Sequence, residues 1–168
     1  MKRVILLNGP SSSGKSTLAD FLQTLICEKR KERYEIVSID TYMRNVLTTD
    51  EPIYEDDVFE ISADICTDAM NALQTCDGVI IDHVITSERI DRQLAESLHT
   101  YRLYRVHVTC PLSILQEREK QRGDRFIGSA QASAEYLYPK DGYDITVDTH
   151  AMSADTCALH IFCSVFGE

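Results

Sequence analysis

The stretch "VILLNGPSSSGKST", residues 4–17, constrains this chain more than any other. β-favouring apolar residues from Val4 to Leu7 run into a glycine, a proline, three serines, a second glycine and a lysine. Gly9 to Ser16 has the spacing G-x-x-x-x-G-K-[ST]. The expected local structure is a strand ending at Asn8, a tight turn through Gly9, Pro10, Ser11, Ser12, Ser13 and Gly14, and a helix starting near Lys15. Glycines at 9 and 14 admit backbone conformations that a Cβ would obstruct, so successive N–H groups can point inward. The N-terminus of the helix adds partial positive charge at the same place. Such a turn is a cradle for a nucleoside triphosphate. Lys15 is expected at the β- and γ-phosphates, and Ser16, followed by Thr17, offers a hydroxyl to a Mg²⁺ shell.

The rest of the chain fits this start. Short β-rich runs at 4–8, 34–40, 78–82, 103–108 and 143–148 alternate with helical patterns, the sequence form of a parallel sheet covered by helices. Leu18, Phe21, Leu22, Leu25 and Ile26 form one apolar helical face. Ile61, Ile65, Ala69, Ala72 and Leu73 form another, as do Ile90, Leu94 and Leu98, and Cys157, Ala158, Ile161, Phe162 and Val165. Pro111 reads as the first residue of a helix through "LSILQEREKQR". No repeat or linker divides the 168 residues, and 43% hydrophobic residues suffice for a core, so one α/β domain over 1–168 is expected.

Charge and cysteines narrow the partners. A net charge of −10 disfavours nucleic acid and anionic lipid, and the mixed run "EKRKER" (28–33) reads as the solvated end of a helix. The apolar run after "MKR" ends at Leu7, too short for a signal peptide, and no stretch reaches the roughly 20 apolar residues of a membrane span. A cytoplasmic protein with no nucleic-acid or membrane partner is the expectation. Cys27, Cys66, Cys76, Cys110, Cys157 and Cys163 include no C-x-x-C pair and are expected as buried reduced thiols.

Ligands of parallel sheets bind beyond the C-terminal strand ends, which directs attention to the polar residues there. No N-K-x-D element is present, which argues against a guanine-specific switch. Asp40 ends the second β-run in "VSIDTYM" and could orient an attacking hydroxyl, the alternative being an acid that caps the following helix. Asp82 ends "VIID" and could hold Mg²⁺, the alternative being an ordinary terminal acid of a buried strand. Arg118 and Arg122 lie at i and i+4, and Gly123 separates them from Arg125. This arginine set suits either a lid closing on a triphosphate or a salt-bridged surface helix.

Taken in order, "LLNGPSSSGKST", "SIDTYM", "VIIDHV", "REKQRGDRFIG" and "YDITVDT" resemble the chloramphenicol phosphotransferase family of small P-loop kinases, over nearly the whole chain. That resemblance implies a three-layer fold with a five-stranded parallel sheet of order 2-3-1-4-5, helices on both faces and a small lid at about 118–138. It implies ATP- and Mg²⁺-dependent phosphorylation of a small-molecule hydroxyl, with an antibiotic as the indicated acceptor. Asp40 then matches the family's base, Lys15, Ser16 and Asp82 its phosphate and metal residues, and Arg122 and Arg125 its lid arginines. Arg118, Asp148 and Thr149 match the surroundings of the nucleotide base, while Asp40, Tyr42, Asp82 and His83 fall on the acceptor side. Acids at 50, 51, 55, 56, 57 and 60 read first as a solvated face and second as a site for a cationic acceptor. His83 is read either as a local hydrogen-bonding residue or as a substrate contact. Two further readings are a metabolite, nucleoside or nucleotide kinase of the same fold and a non-catalytic nucleotide sensor.

Overall fold

The computed structural model describes residues 1–46, 53–123 and 126–168. Five parallel strands are present: β1 (Arg3–Asn8), β2 (Tyr34–Ser38), β3 (Gly78–His83), β4 (Arg102–Thr109) and β5 (Ile145–Asp148). Their order across the sheet is β2-β3-β1-β4-β5, as the resemblance implies. The described helices are α1 (Lys15–Arg30), α2 (Ile39–Val46), α3 (Glu55–Thr75), α4 (Glu88–Ser97), α5 (Leu112–Arg122), α6 (Ser129–Tyr136) and α7 (Ala154–Phe166). None of the described helices is long and apolar enough to cross a membrane.

Strand alternation builds the two sides of the core. Because side chains of β1 point alternately to opposite faces, Ile5 and Leu7 pack with α1 and α7, while Val4 and Leu6 pack with α3 and α4. All four are buried, which explains why a central parallel strand reads as an unbroken apolar run. Phe162 of α7, 1% exposed, belongs to the first side; truncating it to alanine would cost about 3–5 kcal/mol. The i, i+3 pattern of α1 is slightly too generous. Phe21 is 46% exposed, because its position lies at the edge of the stripe carried by Leu18, Leu22 and Ile26. The cysteines are all unpaired: Cys66, Cys76 and Cys157 are buried, Cys110 and Cys163 half-buried, and Cys27 is exposed, contrary to the expectation for that thiol.

Register places the polar residues at one edge. β1 and β3 align Leu7 with Asp82 and Asn8 with His83, and β2 aligns Ser38 with Asp82. The C-terminal ends of three adjacent strands therefore deliver Asn8, Ser38 and Asp82 to the same rim. β2 stops at Ser38, two residues before the expected end, and Asp40 lies in the first turn of α2. Pro111 is the N-cap of α5, with its ring just outside the helix. The stretch 118–138 contains the end of α5 and all of α6.

Candidate active site

The loop between β1 and α1 has the backbone its composition demands. Gly14 caps α1 at φ 88, in the left-handed region that only glycine enters cheaply, and Ser12 is held there too, at φ 67. Left-handed strain at a non-glycine residue is retained where the surroundings impose it. Gly9 is required for a different reason. A Cβ there would stand 2.3 Å from the backbone oxygen of Val108 in β4. Among the described residues, the hydroxyls of Ser11, Ser12 and Ser13 are buried without a hydrogen-bond partner. Buried polar atoms are seldom left so, and three around one turn mark a place shaped for a polar, multiply accepting group such as phosphate.

Lys15 is only 7% exposed; its Nζ donates to the carbonyl of Pro10 at 2.9 Å and lies 3.9 Å from Asp82 Oδ1. Ser16 Oγ donates to Asp82 Oδ2 at 2.7 Å, and Ser38 Oγ does so at 3.2 Å. Asp82, buried at the end of β3, thus gathers a cation and a hydroxyl from α1 and a second hydroxyl from β2. A carboxylate beside a serine hydroxyl is a hard-oxygen pair suited to Mg²⁺. Among the described residues no cluster of three or more His, Cys, Asp or Glu could hold a metal, so an ion here would draw its other ligands from phosphate and water.

A cleft of about 280 Å³ opens over this loop. Its floor is Ser11, Ser12, Gly14, Lys15, Ser16 and Asp82, and Asp40 lines its wall. The same cleft has an apolar lining of Ile39, Met43, Ile53, Val58 and Val84. Arg122, Phe126 and the serines of α6, Ser129 and Ser133, cover it from the other side. A second groove, of about 580 Å³, adjoins the cleft at the phosphate loop and is lined by Gly14, Thr17, Arg118, Thr149 and Met152.

Arg118 and Thr149 brace the loop from behind. The Arg118 guanidinium donates to Thr149 Oγ1 at 3.1 Å, to the Thr149 carbonyl at 3.0 Å and to the Ser12 carbonyl at 3.4 Å, while Thr149 Oγ1 donates to the Ser13 carbonyl at 2.7 Å. Asp148 accepts from the backbone N–H groups of His150 and Ala151, and these bonds lower its pKa below the ordinary carboxylate value. It shapes the turn that carries Thr149.

Two residues expected on the acceptor side are elsewhere. Tyr42 donates its hydroxyl to Asp68 Oδ2 of α3 and faces a groove beside the edge strand β2. Burial and the Asp68 carboxylate raise its pKa. His83 is fully buried, with Nε2 2.8 Å from Ser62 Oγ of α3, and burial lowers its pKa to about 4. Neither lines the main cleft. The physical reasons are simple periodicities: Asp40 and Met43 share a helix face that Tyr42 does not, and consecutive strand residues Asp82 and His83 point to opposite faces of the sheet. Arg125 and the acids at 50 and 51 lie outside the described residues.

Three residues of the site carried no sequence signal. Asn8, 1% exposed, donates to the Tyr138 carbonyl and to Tyr143 Oη, both at 2.8 Å, and accepts the Ile85 N–H at 2.9 Å. It ties the end of β1 to the segments after β3 and after α6. Ser133 Oγ accepts the Ser11 N–H at 2.9 Å, bringing α6 onto the loop. Glu119 binds the start of α6. Their partners are 77 or more residues away for Asn8 and 122 for Ser133, so local pattern could not reveal them.

The five-stranded order, the glycine-rich loop with its lysine and the helical cover over that loop define the fold of a P-loop kinase. The sequence matches the chloramphenicol phosphotransferase-like family over residues 2–165, and the chain belongs to that family. No curated protein is matched by sequence. Among solved structures, the Mycobacterium tuberculosis APS kinase CysC in complex with AMPPNP and APS superposes with a TM-score of 0.78 at 18% identity, covering 98% of this chain and 97% of that one. A gluconokinase from Sinorhizobium meliloti 1021 gives 0.72 at 20% identity, over 96% and 90% of the two chains. The Deinococcus radiodurans tunicamycin resistance protein gives 0.66 at 16%, over 98% and 96%. At these identities the likeness concerns the fold.

Proposed function

We propose that this protein transfers the γ-phosphoryl group of ATP, bound with Mg²⁺, to a hydroxyl of a small neutral molecule with an apolar body. An antibiotic of the chloramphenicol kind is the first acceptor to test. The observation that carries this reading is that one cleft is lined by Lys15, Ser16 and Asp82, by Asp40, and by the apolar Ile39, Met43, Ile53, Val58 and Val84. A phosphate-binding lining, a carboxylate and an apolar lining in one cleft are what a kinase of an apolar alcohol requires.

In this reading the loop N–H groups and the serine hydroxyls hold the phosphates, and the groove beside Arg118, Thr149 and Met152 takes the nucleoside. Ser16 and Asp82 hold the metal, which supplies charge neutralisation to the triphosphate. Lys15 and Arg122 offset the charge on the transferring group, and Asp40 accepts the hydrogen bond of the acceptor hydroxyl and orients it. The acceptor oxygen bonds to the γ-phosphorus as the bond to the ADP oxygen breaks, and the hydroxyl proton leaves through Asp40.

The acidic stretch 50–60 gives little support to a cationic acceptor. Among its described members, Asp56 pairs with Arg89 at 2.5 Å and Asp57 accepts the Tyr54 N–H at 2.7 Å at the start of α3, while the stretch turns Ile53 and Val58 to the cleft. A polyol or phosphorylated metabolite would meet an apolar wall, which favours the antibiotic-like acceptor over a sugar, nucleoside or nucleotide. The test is a panel of hydroxylated antibiotics and metabolites, each incubated with the protein, ATP and Mg²⁺ and read by mass spectrometry. A phosphoryl gain on an apolar alcohol supports the proposal. Gain only on a polyol or nucleotide replaces the acceptor class, and ADP release that no acceptor alters points to a nucleotide sensor.

A further inference from the structure

Glu119 is a carboxylate 2% exposed, in a helix where Glu117, Lys120 and Arg122 are exposed and Arg118 is half-buried against the phosphate loop. Oε2 accepts the Gly128 N–H at 2.9 Å and Oε1 the Ala130 N–H at 2.8 Å. Its own carbonyl accepts the N–H of Gly123, the left-handed C-cap of α5, at 3.4 Å. One residue therefore closes both ends of the connection between α5 and α6: its backbone ends the first helix and its side chain begins the second. Both oxygens are engaged by donors fixed in the backbone, so the carboxylate sets the relative position of two helices.

That position matters for what the two helices bring to the cleft. Arg122 is the last residue of α5, Phe126 precedes α6, and Ser129 and Ser133 belong to α6; all four line the cleft over the phosphate loop. Ser133 Oγ in turn accepts the Ser11 N–H of that loop. We propose that Glu119 is a positioning residue for phosphoryl transfer: by clamping α6 to α5 it holds Arg122 and Ser133 where the terminal phosphate of the donor must lie. The inference rests on the kinase reading of the cleft and adds to it the group that fixes the arginine.

Glutamine is the informative replacement. Its single carbonyl oxygen can accept one N–H, and its amide turns a donor toward the other. The probes are ADP and AMPPNP, each with Mg²⁺, titrated by calorimetry; they differ by the terminal phosphoryl group. Glu119→Gln should lower the affinity for AMPPNP about tenfold, with ADP affinity held within about twofold and a thermal midpoint lowered by only a few degrees. Arg122→Ala should lower the AMPPNP-to-ADP affinity ratio similarly. The double variant should lose little more than either single one, because both changes remove the same contact. Glu119→Asp keeps the charge at a shorter reach and should fall between wild type and glutamine, which guards against a glutamine variant that fails to fold. An unchanged ratio in Glu119→Gln overturns the assignment, as do ADP and AMPPNP affinities that fall together with the thermal midpoint. Wild-type protein that binds neither nucleotide overturns the kinase reading and this assignment with it. That result is distinct from a wild type that binds both and is indifferent to Glu119.

Discussion

Ser16 Oγ donates to Asp82 Oδ2 across 2.7 Å, joining the first turn of α1 to the end of β3. The two residues are 66 apart in sequence and meet because β1 and β3 are neighbours in register. The contact prearranges a hydroxyl and a carboxylate on one cation-sized locus. Asp82→Asn keeps the shape but removes the charge. It should lower phosphoryl transfer by about 100-fold or more, since the stabilisation of developing charge is the largest contribution such sites make. Nucleotide titrations with and without Mg²⁺ check the cause: the gain in ADP affinity on adding Mg²⁺ should shrink in the variant.

The apolar lining of the cleft should govern the acceptor alone. Met43 and Val58 are apolar residues lining the cleft that also holds Asp40, Lys15 and Ser16. Met43→Ala and Val58→Ala should each raise the acceptor KM about threefold to tenfold, from lost apolar contact worth roughly 1 kcal/mol, and leave the KM for ATP unchanged. Steady-state kinetics with each substrate varied in turn would separate the two effects.

Gly9 should be intolerant of any side chain. A Cβ would meet the Val108 carbonyl oxygen at 2.3 Å, and that atom belongs to the backbone of an interior strand. Relief requires moving either β4 or the phosphate loop. Gly9→Ala should destabilise the fold by about 1–3 kcal/mol, read from urea unfolding, and weaken ADP binding in the molecules that remain folded.

His107 gives a pH dependence. It is half-buried and stacked on Tyr143 with ring centroids 4.4 Å apart, and burial lowers its pKa below the ordinary value of 6.5. The folded state therefore favours the neutral ring, whereas the unfolded chain takes up the proton first as pH falls. The contribution of His107 to stability is fully present above the unfolded pKa and is lost as pH drops through it toward the lower folded value. Unfolding midpoints measured downward from pH 7.5 should fall, and His107→Phe should lessen that fall, the remainder coming from the fully buried His83.

How much could be read from the sequence depended on whether the partners were local. The phosphate loop was legible because strand, turn and helix are contiguous and each residue type answers to a local backbone need. Asp40 reads in the sequence as the end of a strand and lies instead in the first turn of α2. "VSID" continues a β-like run by composition, and only the packing of Ile39 into the core turns the chain into α2 at that point. The family resemblance puts Tyr42 and His83 on the acceptor side with Asp40 and Asp82. Helical and strand periodicity carry them instead to Asp68 and Ser62. Asn8, Glu119 and Ser133 escaped because an asparagine, a glutamate on a charged helix and a serine in "SAQAS" are unremarkable until the fold supplies Ile85, Gly128 and Ser11.

The account turns on Asp40 facing a triphosphate held by the loop after β1. Its most direct test is a single-turnover measurement with γ-labelled ATP, Mg²⁺ and an unphosphorylated acceptor that gains phosphate in the panel, comparing wild type with Asp40→Asn. The account predicts that label transfer to the acceptor falls by about 100-fold or more in the variant, while ADP affinity stays within about threefold of wild type. Label transfer at the wild-type rate in Asp40→Asn would contradict it.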